Sequence, residues 1–130
     1  MVWFRRDLRL GDNPAWSAAT RSGGEVTPVF VLDPDLWDRA SRHRKAMLAA
    51  NLRSLDASLA AQGGRLHVAG GRPERVLPAL ADRLGSEHIH WTADYTPYAR
   101  RRDELIASTM PSTRHHGQVV QPPGSILTNE

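Results

Sequence analysis

At 130 residues, with 40% hydrophobic and 24% charged residues, the chain has the size and composition of one globular domain, not of a disordered or collagen-like polypeptide. Its formal charge is only +3 and its sole lysine is Lys45, an arginine skew that codon bias explains without a polycationic nucleic-acid tail. It has no cysteine, which excludes disulfides, thiolate-held zinc, iron–sulfur clusters and thiol nucleophiles. No apolar run reaches the ~20 residues of a membrane helix, and no signal peptide opens the chain, so a cytoplasmic protein is expected.

Short apolar runs alternate with helical patterns. Val2–Phe4 reads as a strand. Asp12-Asn13-Pro14 then caps and opens a helix that ends near Gly23-Gly24. Val26–Leu32 is a second strand, with Pro28 as its one irregularity, since proline favours strand starts and edges. Leu48, Leu52, Leu55 and Leu59 form an apolar stripe on a helix from Arg42 to Gln62, stopped by Gly63-Gly64. Leu66–Ala69 is the third strand. Pro73 opens a helix with Val76, Leu77, Leu80 and Leu84 inward, and Gly85 closes it. His88–Thr92 is the fourth strand, and a helix carrying Leu105 and Ile106 runs from Thr96-Pro97 to Pro111. A last strand is expected at Val119–Val120, inside a loop-like tail from Met110 to Glu130 that looks cut from something longer. Strands alternating with helices imply an α/β fold, a doubly wound three-layer sandwich around a five-stranded parallel sheet.

Ligands of such sheets bind beyond the carboxyl ends of the strands. After the first strand, Arg5, Arg6 and Arg9 crowd a loop with Asp7 and Asp12; it reads as an anion site, a docking surface or a self-paired charge cluster. Its only glycine is Gly11, which excludes a dinucleotide-binding turn. After the second strand, Asp33 is placed to accept hydrogen bonds from a ligand, with Trp37, Arg42, His43 and Arg44 in reach. Such a set suits a planar, partly anionic heteroaromatic, or Asp33-Pro34-Asp35 is only a turn and helix entry. Gly70-Gly71 before Pro73 offers a weak phosphate signal. After the fourth strand, Asp94, Tyr95 and Tyr98 can line the same pocket, while Arg100, Arg101 and Arg102 read as a solvated face, with Arg100 paired to Glu104. His88 and His90 share a strand face, but no spacing completes a metal site and no nucleophile elbow is present.

Val2-Trp3-Phe4-Arg5-Arg6-Asp7-Leu8-Arg9-Leu10 followed by Asp12-Asn13-Pro14 resembles the opening of the DNA photolyase and cryptochrome family. The resemblance continues at Pro28–Pro34, Leu52–Leu59, Asp94–Asp103 and Pro122-Pro123-Gly124, and so covers the whole chain, residues 1–130. It implies a Rossmann-like N-terminal domain that often holds an antenna chromophore: methenyltetrahydrofolate, an 8-hydroxy-deazaflavin, a flavin, or none. A helical domain, absent from this chain, would follow and bind FAD, the pyrimidine dimer and the electron-transfer chain. On that reading the fragment alone does not repair DNA, damaged DNA is met only by the full-length protein, and no catalytic residue lies in these 130. Trp3, Trp16, Trp37 and Trp91 are not the family's electron-relay tryptophans. Folate-using relatives often carry Asn-Glu where Tyr98-Ala99 stands, so an 8-hydroxy-deazaflavin near Asp33, Trp37, Arg44, Asp94 and Tyr98 is favoured over methenyltetrahydrofolate. Arg5, Arg6 and Arg9 are assigned to interdomain contacts, and the surface left uncovered is expected to self-associate. A class I photolyase domain is the leading reading. A cryptochrome-type photoreceptor domain and a stand-alone small-nucleotide binder are the alternatives.

Overall fold

A computed structural model describes residues 1–116. Five strands, β1 (Val2–Phe4), β2 (Pro28–Leu32), β3 (His67–Gly70), β4 (Ile89–Thr92) and β5 (Ser112–His115), form one sheet in the order β3-β2-β1-β4-β5. Every pairing is parallel. The chain therefore winds outward from β1 to β3, then returns to lay β4 on the other side of β1. The N-terminal amine fixes that return by donating to Ser86 Oγ at 3.1 Å and to the His88 carbonyl at 2.9 Å.

Among the described residues five helices complete the sandwich: α1 (Pro14–Arg21), α2 (Pro34–Trp37), α3 (Arg42–Ala61), α4 (Pro73–Leu84) and α5 (Pro97–Thr109). The alternation of β1 explains its burial on both faces. Val2 and Phe4 join Phe30 under Ala15 and Ala19 of α1 and Leu55 and Leu59 of α3. Trp3 points the other way, with Val29, Val31, Ile89 and Trp91, against Leu77 and Leu80 of α4 and Ile106 of α5. Two apolar layers on opposite faces of one sheet are what the doubly wound topology requires.

Pro28 is the first residue of β2, where its missing donor costs the ladder nothing; the Val2 amide bonds to Thr27 O instead, at 2.9 Å. Gly71 lies at φ +130°, and a Cβ there would meet Val76 Cγ2 at 2.8 Å, so the β3–α4 turn needs glycine for backbone reasons. Its amide is spent on Leu32 O at 3.1 Å.

Three expectations are corrected. The fifth strand lies at Ser112–His115, not at Val119–Val120, which falls outside the described residues. The run Ser112-Thr113-Arg114-His115 has no apolar signal; it is a strand because it registers on Ile89–Thr92. Arg102 is not part of a solvated face but only 7% exposed. Arg100 and Glu104, both exposed, form no ion pair within 4.0 Å among the described residues, as expected of long side chains with water available. Among the described residues no helix is long and apolar enough to cross a membrane.

Candidate functional site

The strand order reverses between β1 and β4. There the loops after β1, β2 and β4 part, and they leave a cleft of about 520 Å³ walled on its far side by α2 and the start of α3. Asp33, Trp37, Arg44, Asp94 and Tyr98 all line it, although they come from three separate stretches of chain. Leu48 lines it too, because the first half of α3 overhangs the sheet; of the leucine stripe only Leu55 and Leu59 are fully buried.

Asp33 ends β2 and caps α2. Its Oδ1 accepts the Asp35 amide at 3.0 Å, and its Oδ2 accepts the Tyr98 hydroxyl at 2.5 Å. Arg102 Nη1 faces the same Oδ2 at 3.6 Å. The carboxylate thus joins the β2 side of the cleft to α5. Burial raises the Tyr98 phenol well above its usual range, and the hydrogen bond to Asp33 and the nearby carboxylate charges add to the effect. Tyr98 therefore stays protonated and donates to Asp33.

Arg5 does not reach outward. Its Nη1 donates to Asp103 Oδ1 at 2.7 Å, and its Nη2 donates to the Thr92 carbonyl. Burial lowers its pKa despite the charge of Asp103 beside it. Trp91 Nε1 donates to the other Asp103 oxygen at 3.2 Å, and Arg102 Nε stands 3.7 Å from Oδ1. The guanidiniums of Arg5 and Arg102 lie 4.8 and 4.9 Å from the Trp3 ring centroid, and Trp3 meets Trp91 edge-on at 5.8 Å. Two cations and two carboxylates are thus buried beneath the cleft with their charges balanced, the condition for tolerating buried charge at all.

The remaining arginines of the first loop divide. Arg6, with a side chain 83% exposed, approaches Asp94 at 3.6 Å and lines the cleft. Arg9 lines a neighbouring pocket of about 180 Å³ at the start of α1 and donates to Gly11 O and Asp12 O at 3.1 and 3.3 Å. This loop is organised by Asn13, which is 1% exposed. Asn13 Nδ2 donates to Asp7 O, Asp7 Oδ2 and Arg9 O, while its Oδ1 accepts the Trp16 amide at 3.0 Å.

Sequence reasoning singled out neither Asp103 nor Arg102 for the site. A signal existed: Ala99, Arg102, Asp103 and Ile106 recur at helical spacing, so the two charged residues lie within the inward stripe of α5. Arg42 and His43, expected near the ligand, do not line the cleft. Tyr95 lines the smaller pocket instead, its hydroxyl bonded to His116 Nδ1.

The sequence matches the DNA photolyase family over residues 1–130. It is similar to the deoxyribodipyrimidine photo-lyase of Synechococcus sp. (strain ATCC 27144 / PCC 6301), with 35% identity over 85% of this chain and 23% of that protein. In structure it is similar to a bacterial class III photolyase from Agrobacterium tumefaciens, with a TM-score of 0.85 and 32% identity over 98% of this chain and 27% of that one. It is also similar to an archaeal photolyase from Sulfolobus tokodaii, whose structure holds two FAD molecules, described as implying a novel light-harvesting cofactor: TM-score 0.85, 30% identity, 93% of this chain and 30% of that one. The chain spans 23% to 48% of the length of the first curated relatives it matches. Its five-stranded parallel sheet, its topology and its sequence agree: the chain belongs to the DNA photolyase family, to whose N-terminal α/β domain it corresponds.

Proposed function

We propose that this is the antenna domain of a class I DNA photolyase and that the cleft holds a planar light-harvesting chromophore of the 8-hydroxy-deazaflavin type. The observation that carries this reading is the convergence of Asp33, Trp37, Arg44, Asp94 and Tyr98 on one cleft. Its volume, about 520 Å³, falls in the range of roughly 300–1,000 Å³ usual for small-molecule sites. The residues present fit such a dye. Trp37 and Leu48 supply an apolar wall, and charged groups line the cleft on either side of it. Position 99 argues against folate: Ala99 is buried against the fold and offers no carboxylate toward a pterin.

A bound antenna dye supplies light absorption and energy transfer; the protein's part is to hold the dye at one place and angle. The Asp33–Tyr98–Arg102 connection between β2 and α5 serves that part by fixing the cleft's width. Dimer reversal itself, with its flavin, belongs on this reading to a helical partner domain. Arg5, Arg6 and Arg9 are assigned to the contact with it, Arg5 by shaping the loop from within and Arg6 and Arg9 from the surface.

Fluorescence titration of the purified chain tests this. The deazaflavin is expected to bind in a one-to-one complex and methenyltetrahydrofolate to bind more weakly. Trp37→Ala is expected to weaken the deazaflavin complex roughly tenfold, through lost stacking area. Preference for the folate would overturn the choice of dye, and failure of both to bind would overturn the antenna reading. Tight binding of a nucleoside phosphate, with no dye bound, would favour a small-nucleotide site instead.

A further inference from the structure

Strand β3 ends the sheet on one side, with β2 as its one strand neighbour among the described residues. In a parallel ladder, alternate residues turn their backbone groups toward the same neighbour. Gly71 gives its amide to Leu32 O of β2 at 3.1 Å, so His67, Ala69 and Gly71 face inward, while Leu66, Val68 and Gly70 face outward. Leu66 agrees with that parity: its amide turns away from β2 and is accepted by Asp56 Oδ1 of α3 at 2.8 Å. The first outward donor is thus capped by the fold. The groups that follow it, Val68 N–H, Val68 C=O and Gly70 N–H, meet no partner among the described residues. Both residues are exposed, Val68 at 51%.

The two faces of this edge differ in chemistry. Val68 is in register with Phe30, on the α3 side of the sheet, and presents an apolar side chain there. His67 is in register with Val29, on the α4 side. Arg65 precedes the strand, and Arg72 and Arg75 stand at the head of α4, just past its end. All four basic residues are exposed, and among the described residues none has a carboxylate within 4.0 Å. From Arg65 to Ala81 the sequence holds one acidic residue, Glu74. Proteins mask edge strands with proline, lysine, bulges or a covering element, but His67–Gly70 holds neither proline nor lysine. A second copy paired at the same edge would bring these cations against their own kind, and a nucleic acid has phosphates but no row of amide donors and acceptors.

We propose that β3 is a docking edge that takes an extended acidic peptide segment of a partner protein as an added strand, paired at Val68 and Gly70, with carboxylates on the His67 face and an apolar residue beside Val68. Main-chain bonds supply the affinity of such an addition, and the flanking cations select the partner.

A fluorescein-labelled peptide alternating glutamate with valine probes the edge on the intact chain, by anisotropy for affinity and by amide NMR for position. It is expected to bind, to shift and protect the Val68 and Gly70 amides, and to lose roughly tenfold in affinity as salt rises from about 50 to about 500 mM. The same peptide with lysine for glutamate is expected not to bind. Methylating the peptide amides along one edge is expected to abolish binding, because the ladder donors are lost with no change of charge. Arg72→Gln with Arg75→Gln, both at exposed positions, is expected to weaken the complex roughly tenfold, and Arg83→Gln, at the far end of α4, to leave it unchanged. Val68→Pro removes an outward donor that the ladder to β2 does not use, and is expected to abolish binding. If that proline unsettles the strand, the arginine pair and the methylated peptide carry the test. Equal binding of the lysine peptide, undiminished binding of the methylated one, shifts confined to another surface, or no binding at all overturns the proposal. A dimer in sedimentation that Val68→Pro dissolves also overturns it and gives the edge to a second copy. Tighter binding of an oligothymidylate at the same amides overturns it in favour of a phosphate site.

Discussion

Asp103 is the residue on which most of the buried polar structure converges. Its carboxylate receives Arg5 and Trp91 and faces Arg102, and the residue is itself only 1% exposed. Asp103→Asn keeps the shape but leaves the Arg5 guanidinium buried and uncompensated, so a loss of about 3–5 kcal/mol in urea unfolding is expected. Adding Arg5→Met should recover part of it, because the orphaned charge goes too. A loss below about 1 kcal/mol would show that water reaches the pair and that it is not buried as described. Asn13 is a second such point: Asn13→Ala removes a helix cap and three loop bonds together, for an expected cost of about 2 kcal/mol by the same measurement. Both residues were only half legible in the sequence. Asn13 could be read as a cap from the proline after it, but its bonds back to Asp7 and Arg9 could not. Arg102 was concealed by its neighbours, since three consecutive arginines look like a solvent face. One of its two carboxylate neighbours, Asp33, lies between β2 and α2, and composition gives no hint of such a pairing.

Among the elements, those with apolar periodicity were readable and those held by their neighbours were not. The helices opening at Pro14, Pro73 and Pro97 follow from their prolines and caps, and Gly85 closes α4 at φ +69° in the left-handed region. The single turn α2 is shorter than any period can reveal; Asp33 and Pro34 marked only its entry. Strand β5 is legible only through its partner. The β4–β5 seam also has a pH response. His88, His90 and His115 pack in a row, with ring centroids 4.7 and 5.2 Å apart, and His90 Nδ1 shares one hydrogen with His115 Nε2 at 3.0 Å. Burial pushes His90 down to about 4, helped by His88, His115 and the N-terminal amine. His115 is lowered as well, by burial and by His116, His88 and Arg21. A depressed imidazole pKa means that the unfolded chain takes up protons before the folded one. Stability should therefore be full above the ordinary histidine pKa of about 6.5 and fall as pH drops toward 4. Urea midpoints at about pH 7 and about pH 5 are expected to differ, and His90→Asn to reduce the difference. A midpoint that is flat over this interval would contradict the packing of the row.

At the scale of the whole molecule, the order β3-β2-β1-β4-β5 is what turns scattered residues into a site. The rule that parallel sheets bind ligands beyond their carboxyl edge was enough to nominate residues after β2 and β4 from sequence, and the switch point between β1 and β4 brings them to one cleft. What the sequence did not disclose was the division of labour inside it. Asp33, nominated as a ligand acceptor, has both oxygens engaged by the protein, and among the described residues the lining cations with no carboxylate within 4.0 Å are Arg39, Arg44 and Lys45. Side-chain pairing of that kind depends on distances of a few ångströms across the fold, beyond what spacing along a chain encodes. The central claim is that this cleft seats a light-harvesting ring. A crystal structure of the chain grown with the deazaflavin chromophore tests it most directly. The account predicts ring density between Trp37 and Leu48. Ring density at another surface, or none in the cleft under saturating dye, would contradict it.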